Sequence, residues 1–412
     1  MTQVAVVGAG LAGLVCAGDL AAAGIECRVY EASDDVGGRV RTDRVDGFLL
    51  DRGFQILLTA YPQIATRLDL AALDLAYFDP GAVVRTDGAF HRVADPLRRP
   101  GALVDTVRAP VASLADMARL LRLVLDVRTT PVPELLRRPD VSTRQRLDRS
   151  GFSDRMIEAF WRPLFSGIQL DPDLEVSSRR FDVILRMLAV GGTAVPREGM
   201  GAIPAQLSRR LPPGTVRTGV PVERIDGRSL RLGDGSTIEA DAVVVATDGP
   251  MAHRLLGDDV PDPGSSAAAC CWFAAPEPPL TVRSIVLDGA RSGPVANLAV
   301  MSEIAPSYAP DGSSLVVAAV PGPPALDRNL ETAVLSQLTG WFGAVTSDWE
   351  LVRTDVIPHG QPVQAPTFHP RRRVSLGDRR FVCGDHRDTA SIQGAMFSGD
   401  RTAAAVLVEL RG

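Results

Sequence analysis

A short glycine motif near the amino terminus constrains the fold of this chain more than any other feature. Gly8-Ala9-Gly10-Leu11-Ala12-Gly13 is a G-x-G-x-x-G motif between an apolar run, residues 4–7, and a helical segment, residues 11–23. Gly8 permits a tight turn, Gly10 lets the backbone approach a pyrophosphate, and Gly13 lets the helix pack against the sheet. The positive end of the helix dipole then faces the phosphates. The motif predicts a βαβ unit that binds a dinucleotide, with Ala12 among its cofactor contacts.

An acidic residue stands where this interpretation needs one. Glu31 ends a second predicted strand, residues 25–30, eighteen positions after Gly13, close to the expected spacing of ~20. Its carboxylate can accept hydrogen bonds from both ribose hydroxyls and would repel a 2′-phosphate, so NADP is disfavoured. The glycine motif alone is a weak signal, and an ordinary tight turn would not require Glu31. Strand, helix, second strand and acid together make the prediction specific.

The same strand and helix patterns return later in the chain. Strands are predicted at 216–225, 229–232, 237–240, 241–246 and 381–384, and a terminal helix at 394–410. These segments predict a discontinuous dinucleotide-binding domain formed by residues 1–56, 189–250 and 367–412. A substrate-binding domain, residues 57–188 and 251–366, is inserted in two pieces. Its first piece is predicted to be mostly helical, with proline breaks at Pro96, Pro100 and Pro131.

Composition excludes several classes of protein. With 412 residues, 45% hydrophobic and 23% charged, the chain has the size and balance of two globular domains. Its formal net charge of −5 argues against a nucleic-acid partner. The sequence contains no lysine, which excludes a Schiff base, a lysine general base and a P-loop.

The five cysteines predict a reduced protein. Their number is odd, and none has metal-ligand spacing, so we expect buried thiols, no metal site and a cytoplasmic location. Cys270 and Cys271 are adjacent and could form a redox pair, although two small core residues fit the burial habit of free cysteine better. We expect no signal peptide, because the first strand begins at Gln3, and no apolar run reaches the ~20 residues of a membrane span.

A second glycine motif, Gly37-Gly38-Arg39-Val40-Arg41-Thr42, suggests which dinucleotide binds. Two glycines bring the chain close to the cofactor, and Arg39 can pair with a pyrophosphate as a fork. The motif resembles the G-G-R-x-x-T of the flavoprotein superfamily of amine oxidases, protoporphyrinogen oxidases and carotenoid desaturases. This resemblance implies non-covalent FAD and an α/β fold: a Rossmann-like FAD-binding domain of the glutathione-reductase or amine-oxidase type, with an inserted α+β substrate domain. It also places Gly53 and Gln55 beside the flavin and the backbone of Val222 beside adenine.

A third motif lies near the carboxyl terminus. Gly384-Asp385 ends a predicted strand, and Ala390-Ser391-Ile392-Gln393-Gly394-Ala395-Met396-Phe397-Ser398-Gly399 follows. This resembles the closing motif of plant-type phytoene and ζ-carotene desaturases. Asp385 can accept from a ribityl hydroxyl, and backbone N–H groups near Ile392 can face the flavin C2 carbonyl because Gly394 and Ala395 add no bulk. A plain amphipathic helix would explain the alanines but not the strand-Gly-Asp entry.

The expected substrate follows from what the chain lacks. Amine oxidases of the superfamily commonly use a lysine near flavin N5 and an aromatic pair, but this chain has no lysine and has Ser391 at the second aromatic position. Desaturases need little acid–base chemistry, since a hydride leaves to flavin N5 and a proton leaves to a weak base or solvent. The candidate catalytic residues are His386, His359 and Gln55. His386 directly follows Asp385, and Gln55 is expected to lie beside the flavin. Each could equally be an ordinary hydrogen-bonded residue.

The leading hypothesis is therefore an FAD-dependent oxidoreductase that dehydrogenates an apolar polyene or terpenoid, with oxygen or quinone as electron acceptor. The alternatives are an amine oxidase with an atypical site and a flavin-binding protein without turnover. Residues 53–61 also resemble those of bacterial hydroxysqualene dehydroxylases, and this resemblance is consistent with a terpenoid substrate.

The apolar segment 114–127 could lie on a membrane surface. A buried helix is favoured, because Asp116 and Asp126 would otherwise face anionic lipid.

Overall fold

The computed structural model describes residues 3–94 and 109–411. The predicted breaks at Pro96 and Pro100 lie outside the described residues, whereas Pro131 does precede a new helix.

The longest of the described strands lie between residues 265 and 362, and the others are short. In chain order they are β1 (Gln3–Val7), β2 (Glu26–Tyr30), β3 (Thr42–Val45), β4 (Phe48–Asp51), β5 (Leu57–Leu58), β6 (Leu75–Tyr77), β7 (Gly81–Thr86), β8 (Ala89–Ala94), β9 (Thr193–Pro196), β10 (Val216–Arg217), β11 (Val222–Asp226), β12 (Ser229–Leu232), β13 (Thr237–Glu239), β14 (Ala242–Val245), β15 (Ser265–Ala275), β16 (Ile285–Asp288), β17 (Asn297–Val300), β18 (Ser314–Pro321), β19 (Glu350–Pro362), β20 (Ser375–Gly377) and β21 (Arg380–Val382).

The described helices are α1 (Leu11–Ala22), α2 (Pro62–Arg67), α3 (Leu114–Thr129), α4 (Val132–Leu135), α5 (Thr143–Arg149), α6 (Asp154–Met156), α7 (Arg162–Gln169), α8 (Ser178–Val190), α9 (Ala202–Ser208), α10 (Gly249–Leu256), α11 (Met301–Ile304), α12 (Leu330–Phe342) and α13 (Ile392–Arg411). A π-helical turn, Ile157–Trp161, joins α6 to α7. None of these helices is both long enough and apolar enough to cross a membrane.

The first sheet is the dinucleotide-type sheet that the glycine motif predicts. Among the described strands, six form it in the order β10-β2-β1-β14-β21-β20, and every neighbouring pair is parallel except β20 with β21. β14 reads Ala-Val-Val-Val and is buried along its whole length, as expected for a central strand covered on both faces. Helix α1 covers one of these faces and belongs to the largest hydrophobic cluster.

Two helices pack on each other closely enough to require glycine at the contact. A Cβ on Gly399 of α13 would lie 2.3 Å from the carbonyl oxygen of Ala12 in α1. A Cβ on Gly13 would lie 2.0 Å from the carbonyl oxygen of Gly8. Both distances are shorter than any real contact, so only glycine fits at the two positions. The close packing brings the amino-terminal ends of α1 and α13 to the same cavity, which Leu11 and Ile392 both line.

The second sheet is formed by the inserted segments and contains a hairpin that was not predicted from the sequence. Among the described strands, seven form it in the order β19-β15-β18-β17-β16-β7-β8. The hairpin β7–β8 falls within residues 57–188, whose described elements are mostly helical as expected, but this hairpin was not predicted. Asp87 and Gly88 adopt φ of 50° and 77°, which suits a two-residue hairpin turn. An Asp-Gly pair between two apolar runs was the signal for this hairpin.

The cysteines agree with the prediction of buried thiols. All five lie in the described part of the chain, and each is free and buried. Cys270 and Cys271 are neighbours on β15 and therefore point to opposite faces of the sheet. Cys270 packs in the cluster shared with α1, and Cys271 packs in a separate cluster against α12. The two thiols are not joined to each other.

Candidate functional site

A cavity of about 680 Å³ lies between the two large sheets, and segments from the whole length of the chain form its wall. Most of the cofactor-binding residues predicted from sequence lie on it: Gly8, Gly10, Ala12, Glu31, Gly37, Gly38, Arg39, Gly53, Val222, Gly384, Asp385, Ile392 and Ala395. Gly13 is not on the wall. It packs instead against Gly8 and Ala246, which fits its predicted role of bringing helix and sheet together.

One end of the cavity has the features of a dinucleotide cradle. Gly8 has φ of 105°, and a Cβ there would lie 2.9 Å from the carbonyl oxygen of Ala246. A Cβ on Gly10 would meet no protein atom within 4 Å and would occupy the cavity itself. The amino terminus of α1 has no side-chain cap and no acidic residue in its first turn. Its backbone N–H groups are therefore available to an anion, and phosphates fit there.

Glu31 connects several segments at this end of the cavity through hydrogen bonds of its carboxylate and its backbone. Its carboxylate accepts from the backbone N–H of Ala9 (2.7 Å) and from the N–H and hydroxyl of Ser33 (2.9 and 2.7 Å). The backbone N–H of Val220 donates to the carbonyl oxygen of Glu31 at 2.8 Å, which brings the segment carrying Val222 to the same wall. Oε1 already accepts two hydrogen bonds and Oε2 accepts one, so Oε2 can still accept from a hydroxyl on a ribose.

Arg39 joins the amino-terminal and carboxyl-terminal parts of the site. Its guanidinium donates to Asp385 Oδ1 at 2.7 Å and to the carbonyl oxygen of Gly360 at 2.6 Å. The Gln55 amide donates to the carbonyl oxygens of Arg39 (2.7 Å) and Arg52 (3.0 Å). Gln55 thus lines the cavity, but its two hydrogen bonds join its own loop to the loop that carries Arg39.

Two glycines of these loops can only be glycine. Gly37 has φ of 116°, and a Cβ there would lie 2.3 Å from the carbonyl oxygen of Val40. Gly53 has φ of 90°, and a Cβ there would lie 2.6 Å from Ile357 Cδ1. The positive φ and these close protein contacts therefore require glycine at both positions, and both glycines line the cavity.

The carboxyl-terminal motif places a second helix end at the cavity. The hydroxyl of Ser391 accepts from the backbone N–H of Gly394 at 3.0 Å and caps α13. The hydroxyl of Ser398 accepts from the backbone N–H of Gly384 at 2.6 Å, which fixes the turn before Asp385. A Cβ on Gly394 would lie 1.8 Å from the carbonyl oxygen of Thr389. Glycine at this position therefore allows the chain to turn into the helix beside Ile392.

The two predicted catalytic histidines do not line the cavity. His359 is exposed on β19, and its Nδ1 lies 3.0 Å from the hydroxyl of Ser265. His386 is 2% exposed and packs behind Gly384, where burial lowers its pKa to about 4. Among the described residues of the cavity wall there is no histidine. Direct proton transfer from a cavity-bound molecule to either histidine does not fit this geometry.

The other end of the cavity is mostly apolar and carries polar groups that the sequence interpretation missed. Arg180 on α8, Tyr61 before α2, Asn297 on β17 and Gln361 on β19 all line it. Arg180 stands on a buried face of an amphipathic helix with Ile184 and Met187, in the i, i+4, i+7 pattern. An arginine in such a stripe was the one available signal. The burial of Asn297 and Tyr61 depends on tertiary packing, and no sequence pattern indicated it.

The fold and the cavity together define a class of protein. A parallel dinucleotide-type sheet, the amino-terminal ends of two helices at one cavity, and an arginine–aspartate pair between them fit FAD. The start of α1 would hold the pyrophosphate, Glu31 the ribose, and Asp385 and the start of α13 the flavin side. The described residues contain no cluster of His, Cys, Asp or Glu suited to a metal ion. The structure is that of an FAD-dependent oxidoreductase.

Comparison with known proteins gives the family. A model of the flavin containing amine oxidoreductases matches residues 11–407, and the chain belongs to this family. It is 31% identical over 288 residues to a phytoene dehydrogenase of Streptomyces griseus, covering 62% of this chain and 56% of the relative. It is 30% identical over 291 residues to a zeta-carotene-forming phytoene desaturase of Myxococcus xanthus, covering 62% and 55%. The match thus spans about half the length of these two relatives.

A third relative matches over a greater length. Coproporphyrinogen III oxidase of Propionibacterium freudenreichii subsp. freudenreichii is 25% identical over 476 residues, which cover 96% of this chain and 86% of the relative. Among solved structures, an oxidoreductase from Methanosarcina mazei has a TM-score of 0.76 at 20% identity, covering 100% of both chains. Putrescine oxidase bound to putrescine has a TM-score of 0.71 at 18% identity, covering 99% of both chains. These structures share the fold.

Proposed function

We propose that this protein dehydrogenates an apolar polyene or terpenoid molecule by hydride transfer to N5 of FAD. The supporting observation is the cavity wall on the side of the second sheet. Its sheet residues are mostly small or aliphatic: Ala268, Ala269, Cys270, Ile285, Ala319, Val320, Pro321 and Ile357. Such a wall favours a hydrocarbon chain and excludes water. The two relatives at 30% and 31% identity are named for phytoene, which agrees with this substrate class.

The residues on the wall have a limited chemical role in such a reaction. Loss of a hydride and a proton from neighbouring carbons leaves a carbon–carbon double bond, and FAD supplies the hydride acceptor. With no histidine among the described wall residues, the proton passes to solvent or to a weak base. Apolar side chains hold the substrate carbons in place and keep competing water out. The electrons are finally passed to oxygen or a quinone.

Oxidation of an amine fits the cavity less well. The acidic residues among the described wall are Glu31, Glu223, Asp248 and Asp385, and all belong to segments around the first sheet. The apolar end instead carries the buried cation Arg180. An ammonium group would meet a like charge there without a carboxylate to bind it. This charge arrangement supports the preference against amines that the missing lysine first indicated.

A second candidate is oxidation of a porphyrinogen. The relative that matches over nearly the whole chain is a coproporphyrinogen III oxidase. A macrocycle with an apolar body also suits an apolar wall. The terpenoid is preferred because the relatives named for phytoene have the higher identities, although over a shorter match.

Anaerobic stopped-flow reduction of the purified holoprotein tests these choices. The substrates are phytoene in liposomes, geranylgeranoic acid, its methyl ester, putrescine, benzylamine and coproporphyrinogen III, and the readout is loss of absorbance near 450 nm. We expect bleaching by at least one terpenoid and none by the amines. Bleaching by an amine or by the porphyrinogen alone would overturn the substrate class. Bleaching by dithionite alone would instead support a flavin-binding protein without turnover.

A further inference from the structure

Arg180 is a buried charge at the cavity wall that the FAD-binding features do not explain. It lies in the first turn of α8 and is 2% exposed. Its Nη2 donates to Gln361 Oε1 at 2.9 Å and to the carbonyl oxygen of Ala390 at 3.0 Å. Its Nη1 has no hydrogen-bond partner in the described structure.

No carboxylate of the described chain serves as a counter-ion for Arg180. The acids that act on it electrostatically are Asp385 and Asp171. Asp385 is already paired with Arg39 at 2.7 Å, and Asp171 accepts from the backbone N–H groups of residues 173, 175 and 176. A buried charge without a counter-ion is strongly unfavourable. Burial lowers the pKa of Arg180 to about 10, so the guanidinium remains charged at neutral pH.

We propose that Arg180 binds a carboxylate of the substrate, so that the molecule oxidised is an apolar acid. The inference that the acid has a terpenoid body depends on the function proposed above, whereas the inference that it carries a carboxylate depends on Arg180 alone. Arg180 lines the mostly apolar end of the cavity, and its buried Nη1 has no hydrogen-bond partner there. An anion that enters there gains a charge-assisted hydrogen bond in a place of low dielectric constant.

A carboxylate suits this position better than a phosphate. One guanidinium with one unpaired nitrogen balances one negative charge, whereas a phosphate monoester would bring a second charge into the same apolar end. Tyr61 lines the same part of the cavity and interacts electrostatically with Arg180. Burial raises the pKa of Tyr61 to about 12, so its hydroxyl keeps its proton and can donate to the second carboxylate oxygen.

The test compares an acid with its ester, which differ in charge but share the same hydrocarbon chain. Holoprotein is titrated with geranylgeranoic acid, geranylgeranoic acid methyl ester and geranylgeranyl phosphate, and binding is measured by calorimetry and by the visible spectrum of the flavin. We expect the acid to bind at least about tenfold more tightly than the ester. Arg180→Gln should bring acid and ester within about twofold, and Arg180→Lys should keep part of the preference.

The neighbouring arginine supplies a matched control. Arg179 lies on the same helix but donates to the carbonyl oxygens of Arg138 and Phe368, and it is not on the cavity wall. Arg179→Gln should keep the preference for the acid. The FAD content of every variant, read from its absorbance, shows whether the site is intact.

Several outcomes would overturn the inference. These are equal binding of acid and ester by the unaltered protein, an unchanged preference in Arg180→Gln, and tighter binding of the phosphate than of the acid. If neither terpenoid binds, the proposed terpenoid class fails, and the same comparison is made with coproporphyrin III and its tetramethyl ester. A preference for that acid that Arg180→Gln removes supports the inference, and its absence overturns it.

Discussion

Arg39 and Asp385 form a 2.7 Å ion pair across 346 positions of sequence, in the wall of the cavity between the two large sheets. The pair joins the loop after β2 to the turn after β21, so both ends of the chain contribute to one site. Arg39 also donates to Gly360 on β19 and thereby ties the second sheet to the first. The aspartate is buried and the arginine partly so, which makes this contact less screened than a surface ion pair.

Replacing Arg39 by methionine should weaken FAD binding. The change removes a fork that can contact the pyrophosphate and leaves the Asp385 carboxylate buried without its partner. We expect the dissociation constant for FAD to rise by a factor of about 10 to 100, which corresponds to ~1.5–3 kcal/mol. Fluorescence titration of the apoprotein with FAD measures it. As a control, Arg44→Met removes a surface ion pair with Glu198 and should leave the dissociation constant for FAD unchanged. Unaltered affinity in Arg39→Met would refute the assignment.

Gly13 gives a prediction about stability with a control on the same helix. In Gly13→Ala the new Cβ would lie 2.0 Å from a backbone oxygen of Gly8, so helix and sheet must separate. We expect a loss of about 1–3 kcal/mol in the free energy of unfolding, together with weaker FAD binding. In Gly18→Ala the Cβ meets no atom within 4 Å, and the better helix former should add about 0.5–1 kcal/mol. Urea denaturation compares the two variants, and equal effects would contradict the packing role.

The sequence predicted those parts of the molecule in which local pattern and tertiary role coincide. The βαβ unit appears within a residue or two of its expected bounds, because an apolar run, three glycines and an acid each have one structural use there. The β7–β8 hairpin was missed because segment 57–188 was expected to be mostly helical and no strand was assigned within it. Arg180 was missed because its place in an apolar helical stripe does not show that it lacks a counter-ion, which depends on tertiary packing.

Asp51 should make stability depend on pH in a direction opposite to that of most carboxylates. It accepts from Thr42, Met200 and Tyr308, yet burial raises its pKa to about 6. The folded protein therefore binds a proton more tightly than the unfolded chain does. Its contribution is present below the unfolded pKa of 3.8 and is lost as pH rises through about 6. The expected loss is of the order of 2–3 kcal/mol.

The matched variant is Asp51→Asn, which keeps the shape of the side chain and removes the titration. We expect the free energy of unfolding of the unaltered protein to fall between pH 4 and pH 7 relative to that of Asp51→Asn. Urea denaturation at a series of pH values measures both. Curves that run parallel over this range would show that Asp51 titrates normally in the folded protein.

Helix α3 exposes three leucines at positions i, i+7 and i+11, and we expect this face to bind a membrane surface. Leu114, Leu121 and Leu125 are 72%, 39% and 46% exposed. Asp116 and Asp126, the acidic residues on which the expectation of a buried helix was based, do not oppose contact with a membrane surface. Asp116 is buried and forms the capping box with Ser113, and Asp126 is held by both terminal nitrogens of Arg138 at 2.8 Å.

A double substitution, Leu121→Ser with Leu125→Ser, should therefore reduce binding to vesicles that contain phosphatidylglycerol. Burial of one leucine contributes about 1.5–3 kcal/mol when complete, so two half-exposed leucines should lower the partition coefficient by a factor of about 10 or more. Vesicle co-sedimentation measures it. Val408 on α13 is 75% exposed, and Val408→Ser serves as the control for loss of surface apolar area. Equal partition of all three proteins, or no binding by the unaltered protein, would exclude α3 as a membrane-contact surface.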